Sequence, residues 1–199
     1  MLVSSSSNGR YAVVSRRVFS FSAVCLAALG LNAREARAAA PADEMPEIET
    51  VTIESFDTAG ESVGTSEAAK LVKTEAEWRQ TLPSATFDVT RHAQTEAPFT
   101  GTYWNSHEDG LYRCFCCNTA LFDSRTKFDS KTGWPSFYRA ISSDNIVKRE
   151  DVSDSMRRTA VSCKRCDAHL GHLFDDGPPP TGLRYCMNSA ALRFVPRSG

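Results

Sequence analysis

The sequence predicts a predominantly antiparallel β domain from about Thr90 onward, with short helices confined to its N-terminal side. Three observations carry that expectation. Beyond Thr90 the apolar residues come in brief runs, such as Leu111-Tyr112-Arg113-Cys114, Ala120-Leu121-Phe122, Ala140-Ile141, Thr159-Ala160-Val161 and Ala191-Leu192-Arg193-Phe194-Val195. Gly, Asn, Asp and Ser punctuate them at the short intervals expected of strands joined by tight turns. Two Cys-x-x-Cys pairs, at Cys114/Cys117 and Cys163/Cys166, flank a long aromatic-rich insert. Before Thr90, Thr74-Glu75-Ala76-Glu77 has the form of a capping box, which predicts a helix over Glu75 to Leu82 that Pro83 ends.

Composition sets the bounds. With 199 residues, 41% hydrophobic and 24% charged, the chain fits one globular domain with additional terminal sequence. Residues 1–40 read as an export signal of the twin-arginine type: Ser15-Arg16-Arg17-Val18-Phe19 precedes an apolar run through Leu31 and a small-residue cleavage site at Ala36-Arg37-Ala38 or Ala38-Ala39-Ala40. That run is shorter than the roughly 20 residues a permanent membrane anchor needs. The expected location is periplasmic or extracellular. An organellar transit peptide, leading to a plastid or thylakoid lumen, is the alternative, since the Ser-rich, acid-poor start fits that too. The formal net charge is -1. Five arginines against one glutamate in residues 1–38 leave 18 basic and 23 acidic residues beyond them, a net of -5, which speaks against a nucleic-acid partner.

Residues 41–73 form an arm or edge strand. Val51-Thr52-Ile53-Glu54-Ser55-Phe56 alternates as a strand does, and Thr58-Ala59-Gly60 is a turn. In the predicted helix, Trp78 and Leu82 share a face, so Trp78 is expected to dock rather than bind a ligand. A further helical or irregular piece falls around Phe87 to Val89. The main domain spans 74–197.

Each Cys-x-x-Cys pair has the spacing of a zinc knuckle. Cys114, Cys117, Cys163 and Cys166 together complete one tetrahedral shell with no open position, so the ion would be structural. Disulfides in an oxidising compartment are the alternative for the same four thiols. Cys116 cannot easily join both its neighbours on one ion and reads as a buried apolar residue, with an accessory thiol as the alternative; Cys25 lies in the leader.

Cys186 is then left unpaired. On a strand, Arg184 and Asn188 project from the same face as Cys186, and a nearby guanidinium favours the thiolate, the reactive species. His169 and His172 offer either ligands for a second metal or proton donors. Trp134 in Gly133-Trp134-Pro135-Ser136-Phe137 sits on a turn, where an indole can hold a methyl or a sulfur.

These motifs occur in a familiar order. Lys127-Phe128-Asp129-Ser130, Gly133 to Phe137, Cys166-Asp167-Ala168-His169-Leu170-Gly171-His172, Asp176 to Gly182 and Arg184-Tyr185-Cys186-Met187-Asn188-Ser189 closely resemble the methionine-R-sulfoxide reductases of the B type, over roughly Thr74 to Pro196. The resemblance implies a fold of two antiparallel β-sheets with a four-cysteine zinc site and short N-terminal helices. It implies Cys186 as nucleophile, His169, His172 and Asn188 as catalytic helpers, and Trp134 and Arg184 as substrate-binding residues. Its substrates would be oxidised proteins or peptides bearing methionine-R-sulfoxide. The sulfenic acid left on Cys186 would be recycled by a thioredoxin-like or small-thiol reductant. Many members carry a resolving cysteine just before the Gly-Trp-Pro-Ser-Phe motif; here that position is Thr132, which points to an external reductant. Met187 is expected to be a tolerated core substitution. A non-catalytic zinc-ribbon binding module leaves Cys186, both histidines and Trp134 without a task, and a zinc hydrolase using the histidine pair requires a second metal.

Overall fold

The computed structural model describes residues 48–153 and 156–198; the leader and Cys25 lie outside the described residues. Among the described residues no helix is long and apolar enough to cross a membrane. The arm is a hairpin rather than a single strand, because β1 (Thr50–Phe56) turns at Thr58-Ala59 and returns as β2 (Ser62–Ala69). Gly60, at φ +83°, gives the turn a left-handed residue that most side chains resist. β1 buries Ile53, whereas β2 is exposed almost throughout. A buried amide helps hold the hairpin: Asn145 Nδ2 donates to the carbonyls of Glu54 and Ala120, and its Oδ1 accepts from the Glu54 N–H.

Helix α1 (Glu75–Thr81) begins at the expected capping box, with the Glu77 N–H donating to Thr74 Oγ1 and the Thr74 N–H donating to the Glu77 carboxylate. Trp78 is buried, with the Lys73 and Arg91 cations 4.9 and 4.5 Å from its ring centre. Helix α2 (Ser84–His92) is longer than the piece expected around Phe87, and it carries past Thr90 to a left-handed Ala93. Thr86, Phe87, Val89 and Thr90 make its buried face. The hydroxyl of Thr90 satisfies itself on the Thr86 carbonyl, so this threonine sits in a helix interior without an unmet donor. The first strand of the β domain therefore starts at Gly110, not near Thr90.

Two antiparallel sheets form the domain. β3 (Gly110–Cys114), β4 (Ala120–Asp123) and β11 (Leu192–Pro196) pair in the order β11-β3-β4. The larger sheet contains β5 (Lys127–Phe128), β6 (Ser136–Phe137), β7 (Ile146–Asp151), β8 (Arg158–Cys163), β9 (His169–Phe174) and β10 (Arg184–Met187), in the order β5-β6-β10-β9-β8-β7. Ala140-Ile141 is not a strand; Ala140 is buried and the Ile141 N–H donates to the Leu121 carbonyl. An aromatic cluster fills the core: Phe122 stacks on Phe137 at 4.5 Å, and Tyr112 meets Phe137 edge-on at 5.0 Å.

The register of the larger sheet sorts its residues. Phe137, Tyr185, Leu173 and Thr159 stand on one face, and the alternate residues Ser136, Cys186, His172 and Ala160 form a row on the other. Arg184, Phe174, Arg158 and Asp151 make the neighbouring row on that second face. Because Asn145 is the shared partner of β1 and β4, Asn145→Ala should lower stability by about 1–3 kcal/mol in urea unfolding, with hydrogen exchange accelerating first in the hairpin.

Candidate active site and metal centre

The two cysteine pairs adopt the same turn. In each, the residue after the second cysteine is left-handed, Asn118 at φ +64° and Asp167 at φ +55°, and its N–H donates to the carbonyl of the first cysteine. Asn and Asp tolerate that backbone better than other side chains, which explains their place at both turns. The turns cap the β3–β4 and β8–β9 hairpins, and they meet. All four Sγ atoms lie within 4.8 Å of one another, with Cys114 to Cys166 at 3.6 Å and Cys117 to Cys163 at 3.4 Å. These spacings are far beyond a disulfide bond of about 2.05 Å. They approach the edge of about 3.8 Å of a tetrahedron with metal–sulfur bonds of about 2.3 Å. The disulfide alternative therefore gives way to a site positioned to bind one metal ion.

The chemistry of the donor set agrees. Cys116 and the three other thiols of the cluster, together with burial, push the Cys114 thiol well above the ordinary range. Cys117 accepts from Cys114, Cys163 and Cys166 and is held far below it. Cys116 lies outside this set, with Arg91 donating to its sulfur at 3.8 Å and to the Cys166 carbonyl at 2.9 Å.

Cys186 stands on β10, half-buried, in a cavity of about 120 Å³. His172 faces it across the strand pair, Trp134 and Asn188 close the cavity, and Met187 and Phe174 add apolar wall. Wider hollows beside Lys127, about 280 Å³, and beside His169, about 590 Å³, are lined by no cysteine. The β9–β10 contact is close because residue 171 is glycine. It sits at φ +154°, and a Cβ there would lie 2.1 Å from the Cys186 carbonyl oxygen.

His169 and His172 are three residues apart, which on a regular strand would turn them to opposite faces. A register shift between Val161 and Ser162 pairs His169 with Ser162 and returns both rings to one face, 5.2 Å apart. Only His172 reaches the Cys186 cavity; His169 lines the hollow behind it. Burial, helped by His172, pulls His169 down to about 4, so it stays neutral at ordinary pH. Its Nε2 has no hydrogen-bond partner.

Burial pushes the Cys186 thiol up, and the charge of Arg184 and the hydroxyls of Thr132 and Ser136 oppose the rise. Arg184 does not line the cavity. It is gripped by Asp176 through two 2.8 Å bonds and stacked on Phe174 at 4.3 Å. Thr132 brings its Oγ1 to 3.9 Å from the Cys186 sulfur and continues a hydroxyl chain through Ser130 to Ser136.

A family model described as the SelR domain matches residues 82–196. The chain belongs to the SelR family. Among its relatives, proteins named peptide methionine sulfoxide reductase MsrB are 61% identical in Herminiimonas arsenicoxydans over 125 residues, covering 63% of this chain and 91% of that one. The Pseudomonas fluorescens (strain Pf0-1) protein of the same name is 56% identical over 128 residues, covering 64% and 98%. That from Thiobacillus denitrificans is 52% identical over 125 residues, covering 63% and 95%.

Within this SelR domain, several residues at the cavity are ones that sequence reasoning missed. Glu96 does not line the cavity but braces residues that do: its carboxylate accepts from the Ser189 and Ala190 N–H groups at 2.7 and 3.0 Å, and its carbonyl accepts from Trp134 Nε1 at 3.0 Å. Asn188, expected as a helper, uses its amide to join the parts. Its Oδ1 accepts from the Glu96 N–H and its Nδ2 donates to the Leu170 carbonyl. Arg158 and Thr95 also line the cavity. A lone Glu, Arg or Thr in sequence gives no sign of such placement. Gly171→Ala should displace β10 and cost roughly 1–3 kcal/mol, with activity falling more steeply than the melting temperature, as thermal unfolding and turnover measured side by side will report.

Proposed function

We propose that this chain is a methionine-R-sulfoxide reductase in which Cys186 is the nucleophile and a neighbouring histidine manages the proton. The observation that carries the reading is the pairing of Cys186 with His172 across β9 and β10 inside a cavity walled by Trp134. Substrate sulfur enters that cavity with its methyl against the indole, whose ring is held by the Nε1 bond to Glu96. The Cys186 thiolate attacks the sulfoxide sulfur as its oxygen takes a proton. The S–O bond breaks, oxygen passes to Cys186 as a sulfenic acid, and methionine leaves as the thioether. Trp134 contributes stereoselectivity by admitting the methyl on one side only, and Asn188 holds the cavity floor. Arg184 acts at a distance: held by Asp176, it favours the thiolate against the burial that opposes it.

Recycling falls to an external thiol, which condenses with the sulfenic acid to a mixed disulfide and water; a second thiol then frees Cys186. Two observations support this. Thr132, a hydroxyl, occupies the position 3.9 Å from Cys186 where a resolving thiol would stand, and Cys116 is held by Arg91 against the second knuckle. The substrates are methionine-R-sulfoxide residues in oxidised proteins and peptides, and export through the twin-arginine leader would place the enzyme where oxidants meet such proteins.

Zinc is the ion proposed for Cys114, Cys117, Cys163 and Cys166. It would join the two hairpins and add directly to folding stability, with no coordination position left for substrate.

With dithiothreitol as reductant and the resolved sulfoxides of a blocked methionine as substrates, the R form should turn over and the S form should not. Cys186→Ser should abolish turnover while leaving the melting temperature near wild type. Reduction of the S form, or activity surviving in that variant, would sink the assignment. Elemental analysis should find one zinc per chain. Chelation or Cys163→Ser should remove it and lower the melting temperature by many degrees, whereas Cys116→Ser keeps both the metal and dithiothreitol-driven turnover.

A further inference from the structure

Asp151 closes β7 two strands away from His172, yet its Oδ2 lies 2.7 Å from His172 Nε2. The register explains how it reaches. Arg149 and Asp151 on β7 pair with Ala160 and Arg158 on β8, and Ala160 in turn pairs with His172 on β9. On this face Ala160, the residue of the intervening strand directly opposite His172, offers only a methyl group, which leaves the carboxylate room to reach the ring beside Arg158. The aspartate is itself held at both oxygens. Its Oδ1 accepts from the Ser153 N–H at 2.9 Å, and its Oδ2 also meets Arg158 Nη2 at 3.1 Å. Those two bonds set the carboxylate before it meets the ring.

We propose that Asp151 is a positioning residue for the reaction at Cys186: its carboxylate, crossing β8 beside Ala160, turns Nε2–H of His172 toward itself and leaves Nδ1 for the cavity. The inference rests on the reductase reading above and deepens it by separating the two histidines. His172 is the one that lines the cavity and has an anion behind it. His169 lies behind the cavity, buried, with Nε2 unpartnered, and it is neutral at ordinary pH, with burial and then His172 pulling it down to about 4. His172 is therefore the histidine placed to pass a proton to the sulfoxide oxygen, with the Asp151 carboxylate behind its ring. The charged and titratable groups around that ring are Asp151 from β7, Arg158 from β8, His169 from its own strand and Cys186 from β10. Ser153 holds Asp151 firmly ionised through its hydroxyl and N–H, with His172 adding to the effect. An aspartate behind the ring, rather than a neutral acceptor, also offsets the Arg158 cation that stands at the same cavity.

The test compares wild type with Asp151→Ala, Asp151→Asn and Ala160→Val, with dithiothreitol and blocked methionine-R-sulfoxide, alongside nitrogen-15 NMR of the histidine rings. Asp151→Ala should lower kcat at least tenfold with KM changed less than threefold, and His172 should lose its fixed Nε2–H tautomer. Asp151→Asn keeps an acceptor oxygen and should retain that tautomer and recover part of kcat. Ala160→Val leaves Asp151 intact but blocks its path, so it should resemble Asp151→Ala. Wild-type kcat in Asp151→Ala overturns the proposal, as does a His172 tautomer that is the same in all four proteins. If Asp151→Ala does not fold, the Asn and Val variants decide by the same two readouts. Absence of turnover in the wild-type protein would instead remove the reductase reading, leaving the tautomer measurement to judge Asp151 alone.

Discussion

The joining of two β-hairpins at four thiols is the constraint from which the rest of the domain follows. Each Cys-x-x-Cys turn ends in a left-handed Asn118 or Asp167, and each returns the chain directly into a strand that starts two residues later. For β9 that strand begins at His169, so the turn at Cys163 sets the phase with which the histidines enter the sheet. The remaining elements lean on the same knot. The Leu71 N–H donates to the Arg165 carbonyl, Lys70 pairs with Asp167 at 3.0 Å, and Arg91 of α2 donates to the Cys166 carbonyl. The hairpin's end and α2 thus anchor on the second knuckle, and a metal bound there would tie together elements far apart in sequence.

At the other end of β9 the site is built from opposed demands. Burial raises the pKa of the Cys186 thiol, and the charge of Arg184 opposes that rise. The arginine is kept out of the cavity by its grip on Asp176 and its stack on Phe174, so its charge reaches Cys186 without filling the cavity. The histidines show a similar division. Both are buried, but one is held neutral and lies away from the cavity, whereas the other meets the cavity and an aspartate. The tight β9–β10 approach that makes this possible depends on Gly171, since any side chain there would meet the backbone of Cys186.

Much of this was legible in the sequence because it rests on local chemistry. The capping box at Thr74 fixes a helix start with residues three apart, and the paired cysteines announce one shell because each pair is a self-contained turn. The linked motifs from Lys127 to Ser189 carried the resemblance to a family, and residues 82–196 match the SelR domain. What was misread depended on distance. The arm became a hairpin because exposed β2 has little amphipathic pattern, being held by pairing with β1 and, through it, by Asn145. Helix α2 ran longer than expected because its two buried threonines disguise its apolar face. Ala140-Ile141 read as a strand because a buried apolar pair needs no ladder when one backbone bond to Leu121 suffices.

The sequence by itself determined the family, the four-cysteine cluster and the residue types of the site, since spacing within a turn or strand settles which side chains are near neighbours. Only the tertiary structure decided which of those residues meet. A bulge of one register step puts His169 and His172 on one face, yet the cavity takes only His172. Asn188 joins Glu96 to Leu170, and Asp151 crosses a strand to the ring of His172. These contacts pair residues 18 to 92 positions apart, or reach over an intervening strand, where no local pattern records them; they exist because strand order and register bring the partners together.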